Sequence, residues 1–74
     1  MSALNDLLNR YYNAAHGLSQ ESRATVMTDM QAWLQADPAN TAAAQTQVAG
    51  YTDDICDRDY ISKISRDAIT EALA

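Results

Sequence analysis

The sequence predicts a single all-α domain, a small four-helix bundle or irregular helical cluster. Three observations lead there. Apolar residues recur at helical spacing in one segment after another. Alanine, the strongest helix former, supplies 14 of the 74 residues. The strong helix breakers are only Gly17, Pro38 and Gly50, and they divide the chain into helix-sized lengths.

Leu4, Leu7, Leu8, Tyr11, Ala14, Ala15 and Leu18 fall in one arc at 100° per residue. They predict a first helix over about residues 3–16, capped by Ser2 and closed by Gly17, with Leu18 making an apolar contact back. Ser19 reads as the next cap, with Glu21 in a first turn where the helix dipole favours negative charge. Val26, Met27, Met30, Trp33 and Leu34 carry that second helix over about 20–36, and Asp37-Pro38 ends it. Trp33 is the largest apolar side chain and is expected to be the most costly to truncate.

Asn40 or Thr41 can cap a third helix over about 41–56, whose stripe is Ala44, Val48, Tyr51 and Ile55. Gly50 lies inside this span and weakens it by about 1 kcal/mol relative to alanine. Ile61, Ile64, Ala68 and Ala72 lie at a different azimuth, so a break near 57–59 is expected, with Asp57 or Asp59 as the cap. The fourth helix then covers about 60–73. Its apolar residues spread over about 220°, wider than the roughly 100° that one core contact needs. That width predicts two surfaces, with Ile61, Ile64 and Ala68 inside and Ile69 and Leu73 outside.

The hydrophobic fraction of 47% overstates the core. Leu, Ile and Val together number 12 of 74 residues, about 16%, and there is no Phe. A chain of this size with so few large aliphatics is expected to be marginally stable. Ten acidic against five basic residues leave a net charge of −5. Such a balance disfavours direct binding to nucleic acid and to anionic membranes, and favours a basic protein partner. Four of the acids, Asp53, Asp54, Asp57 and Asp59, fall within seven residues and form a candidate contact patch.

The motifs of common chemistries are missing. Counted from Asp57, a calcium loop would need glycine at Ser62 and a bidentate glutamate at Ala68, and counting from Asp53 fails as well. One cysteine and one histidine cannot supply a zinc site. Two glycines cannot build a phosphate-cradling loop. Nothing around Cys56 resembles a nucleophile turn, so Cys56 reads as a small, partly buried apolar residue and His16 as a structural one near a helix end. No aspartate is followed by serine, which sets aside the prosthetic-group site of acyl carrier proteins. No cofactor is expected.

With no leader-like opening, no spanning segment and a lone cysteine, a cytoplasmic setting is expected. The resulting expectation is a small acidic, non-enzymatic protein-binding module. It would dock on a larger basic protein, one whose own ligand can be a nucleic acid, and inhibit it. Its contact residues would be Asp53, Asp54, Asp57 and Asp59 with Tyr12, Tyr60, Ile69 and Leu73. The alternative is a structural or assembly protein that forms a homodimer through the last helix.

Overall fold

The computed structural model describes residues 2–74, which fold into five helices with no strand among them. The first helix, α1 (Ala3–Ala15), opens on Ser2, whose Oγ accepts the Asn5 N–H at 3.1 Å. Leu4, Leu7, Leu8 and Tyr11 are its buried face. Its end is set by Gly17 at φ +67°, a left-handed conformation that glycine adopts without steric cost. That turn lets the Leu18 N–H reach the Asn13 carbonyl at 2.8 Å and the Gly17 N–H reach that of Ala14 at 3.4 Å. Leu18 itself is exposed, so the expected apolar contact contributes little burial.

The second helix, α2 (Arg23–Ala36), starts later than the sequence suggests. Its cap is Ser22, not Ser19, and Ser22 Oγ accepts the Thr25 N–H at 3.1 Å. The reason is tertiary. Glu21 lies before the helix, where Arg10 of α1 holds its carboxylate, and residues 16–22 make the crossing between the two helices.

Asp37 is the whole connection from α2 to α3 (Pro38–Ala49). Its extended backbone (φ −155°, ψ 127°) ends one helix, and its carboxylate accepts the Ala39 N–H of the next at 2.9 Å. Pro38 fits the first helical position because its missing N–H would have no partner there. Asn40 and Thr41, expected as caps, work backwards instead. They donate to the Trp33 and Leu34 carbonyls at 2.9 and 3.1 Å, satisfying acceptors that the end of α2 leaves open.

The expected third helix over 41–56 is broken in two. The helix stops at Gly50, and a short α4 (Asp53–Arg58) begins after Thr52, whose hydroxyl accepts the Ile55 N–H. Two local signals outweigh the apolar stripe there: glycine's low helix propensity and a threonine cap followed by two aspartates at a helix start. The break carries Ile55 out to an exposed position, while Val48 and Tyr51 still pack on the core. Asp59 is then the single link to α5 (Tyr60–Leu73), repeating the Asp37 device with an acceptor for the Ile61 N–H at 3.2 Å.

Helix α5 packs against α1, α2, α3 and α4, and so forms the spine of the cluster. The deepest large side chains are Met30, Val26 and Ile69. Trp33 is only partly buried at the core margin, so the largest side chain is not the central one. The two-surface reading of α5 is corrected in its assignment. Ile69 is 1% exposed and Leu73 packs against the core, whereas Ile61 is 59% exposed. Ser65, Ala68 and Ala72 flank Ile69 on the buried side, and these small residues allow close helix approach.

Candidate functional site

Helix α1 presents Tyr12 and His16 one turn apart at its carboxyl end, and α5 presents Tyr60 at its first position. Their rings meet. Tyr12 stacks on His16 with centroids 4.3 Å apart and planes 25° from parallel. Tyr60 stands edge-on to both, at 5.5 Å from His16 and 6.5 Å from Tyr12. Offset and edge-on arrangements are the favourable ones for ring quadrupoles.

Hydrogen bonds fix the imidazole. Its Nδ1 lies 2.8 Å from the Tyr12 carbonyl, which can only accept, so Nδ1 carries the proton in the neutral ring. Nε2 then accepts from the Tyr60 hydroxyl, also at 2.8 Å. Both nitrogens are engaged, which leaves no ring lone pair open for a general base. The cluster is nonetheless at the surface, with Tyr60 55% exposed and its neighbour Ile61 exposed as well. It is a rigid aromatic platform with an apolar residue beside it.

The acidic stretch occupies α4 and the α4–α5 link, and Asp59 is the sequence neighbour of Tyr60. The four aspartates divide their work. Asp53 pairs with Arg66 at 2.7 Å, yet its side chain remains 94% exposed. Asp54 pairs with Arg58 along α4 at 2.9 Å. Asp59 caps α5 and accepts the Ser62 hydroxyl at 2.7 Å. Asp57 is exposed and has no ion-pair partner among the described residues. The hydrogen bond from the Arg66 guanidinium to the Asp53 carboxylate raises Arg66 above its ordinary value. Exposed pairs of this kind contribute little to stability, and they leave the stretch with a net negative charge.

A different ionic cluster ties the crossing between α1 and α2. The Arg10 guanidinium contacts both Glu21 Oε1 and Asp29 Oδ2, with Arg10 Nε donating to Glu21 Oε2 at 3.1 Å. These hydrogen bonds hold Glu21 below the ordinary carboxylate value and Arg10 above its own. They are structural, joining α1 to the loop and to α2.

Of the residues expected to bind a partner, the fold brings together Tyr12 and Tyr60, and it keeps the four aspartates on α4 and the α4–α5 link. It withdraws Ile69 into the core and packs Leu73 against it, so the proposed dimer face is interior. His16 holds the structural place near the helix end that its position suggests, and its spacing four residues after Tyr12 is a visible signal of contact along α1. Its partner Tyr60 is 44 residues away and carries no such signal.

Cys56 is buried, its thiol directed at the Tyr51 carbonyl. Among the described residues no group of three or more His, Cys, Asp or Glu side chains converges as metal ligands, and no helix is long and apolar enough to cross a membrane. Compared with known proteins, the chain matches no family model, and no curated protein or solved structure is significantly similar to it.

Proposed function

We propose that this chain is a non-enzymatic protein-binding module that docks on the basic surface of a larger protein. The reading rests on the hydrogen-bonded Tyr12–His16–Tyr60 cluster, in which His16 and Tyr60 are exposed and Tyr12 is half-buried. Tyrosines held in place before contact lose little entropy on binding, which makes them effective interface anchors. Ile61 extends the apolar area, and Asp53, Asp54 and Asp57 supply an acidic border. That border steers a basic partner toward the cluster and opposes pairing with a second, equally acidic copy. Where the partner's basic surface is its own nucleic-acid site, occupation of that surface by this chain excludes the nucleic acid and inhibits it.

The test is affinity capture from a lysate of the source cell with the wild type and Tyr60→Ala side by side, followed by binding measurements on the captured protein. The expected partner has a basic surface, binds Tyr60→Ala at least tenfold more weakly, a loss of about 1.4 kcal/mol, and associates more slowly as salt rises. A partner that binds both forms equally at all salt concentrations defeats the reading.

A further inference from the structure

A groove of about 330 Å³ opens between α1, the start of α2 and the end of α5, lined by Tyr11, Arg23, Ala24, Met27 and Glu71. It lies toward the opposite end of α5 from the aromatic cluster, since Glu71 is eleven residues beyond Tyr60, about 16 Å of helical rise. Its volume sits at the lower end of the range for small-molecule sites.

Three independent features give the groove a chemistry. The first is Tyr11, which is only 7% exposed. Its hydroxyl has no hydrogen-bond partner among the described residues, yet no fully buried side-chain oxygen or nitrogen among them is left unsatisfied. The hydroxyl therefore keeps some contact with solvent, and Tyr11 is one of the residues lining the groove. The second is the start of α2. Ser22 accepts the N–H groups of Thr25 and Val26, so those of Arg23 and Ala24 remain open donors at the positive end of the helix. The third is a pair of unmatched charges. Arg10, Arg58, Lys63 and Arg66 each pair with a carboxylate. Arg23 and Glu71 line the same groove and are joined neither to each other nor to any other charge among the described residues.

We propose that this groove binds a small zwitterion with an apolar body, of the class of free aliphatic α-amino acids. The ligand carboxylate accepts from the Arg23 guanidinium, the open N–H groups of α2 and the Tyr11 hydroxyl. The ligand ammonium donates to Glu71, and the aliphatic chain lies on Met27 and Ala24. A doubly charged phosphate fits less well, because the Glu71 carboxylate stands against it.

L-Leucine is the probe, titrated into the full chain while backbone amide resonances are followed. Its two truncated forms are leucinol, which lacks the carboxylate, and 4-methylpentanoate, which lacks the ammonium. Saturating shifts are expected at Arg23, Ala24, Met27 and Glu71 with a Kd near about 1 mM, and at least tenfold weaker binding of either truncated form. Arg23→Gln should bring leucine and leucinol to within about threefold, and Glu71→Gln should do the same for leucine and 4-methylpentanoate. Tyr11→Phe keeps the packed ring and should weaken leucine several-fold at unchanged helical content. No saturation by about 10 mM overturns the proposal. So does equal binding of leucine and both truncated forms, or indifference of the Kd to Arg23→Gln and Glu71→Gln.

Discussion

The Tyr60 hydroxyl donates to His16 Nε2 across 2.8 Å, joining the first residue of α5 to the residue that ends α1. The bond ties together residues 44 apart, so it is part of the tertiary fold as well as of the exposed cluster. Tyr60→Phe should lower stability by about 0.5–1.5 kcal/mol, the usual net worth of one hydrogen bond, and His16→Gln by more, because it also removes the bond to the Tyr12 carbonyl and the stack on Tyr12. In a domain this small that is a fall of several degrees in Tm. The double variant should lose no more than the larger single loss, because both changes remove the same bond. Strictly additive losses in thermal melts would mean that the bond contributes nothing.

Met30 and Ile69, not Trp33, should be the residues this fold least tolerates losing. Met30 is fully buried, and Met30→Ala at such a site costs about 2–5 kcal/mol, comparable to the entire stability of a domain of this size. Trp33→Ala removes a partly exposed ring and should cost less in urea unfolding. Ile69→Lys should abolish the helical circular dichroism signal, whereas Ile61→Lys, on the exposed side of α5, should preserve it. A folded Ile69→Lys would mean that α5 does not face inward as described.

Acid should loosen the crossing between α1 and α2. The Arg10 hydrogen bond holds Glu21 below its ordinary value of 4.5, so the ionised form is favoured in the folded state. Stability from this pairing is complete above that value and is lost as pH falls through the lower, folded-state value. The Tm difference between the wild type and Glu21→Gln should accordingly be present near about pH 6 and should close as the solution is acidified below about pH 4.5. A difference that is constant across that range would show that the pair adds nothing in solution.

The four aspartates of the acidic stretch should separate by role. Asp57→Asn should slow association with a basic partner at low salt while leaving Tm unchanged, since the exposed Asp57 side chain makes no ion pair among the described residues. Asp59→Ala should instead cost about 1 kcal/mol of stability through loss of the α5 cap, and Asp59→Asn should largely restore it. The effect of Asp57→Asn should fade at physiological salt, where the Debye length is about 8 Å. Stopped-flow association and thermal melts measure the two roles separately.

Most of the helical layout is legible in local signals. The α1 arc, the Gly17 stop, the Asp37-Pro38 boundary and the Asp59 cap each depend on residues within a turn or two, so sequence spacing alone identifies them. The start of α2 and the break at Gly50–Thr52 are less legible, because competing caps of similar strength lie a few residues apart. Which cap operates depends on where the chain must run, and Arg10 capturing Glu21 is an interaction with another helix.

The inward face of α5 belongs to the packing alone. Its apolar residues surround so much of the helix that periodicity offers several orientations with nearly equal burial, and the hydrophobic effect is not directional. Shape resolves them. Ala68 and Ala72 let α5 approach its neighbours closely while Ile69 fills the remaining space, and Tyr60 and Ile61 are left outside at its amino end. The same packing brings Tyr60 to His16 and opens the groove beside Tyr11, two juxtapositions that no spacing along the chain encodes.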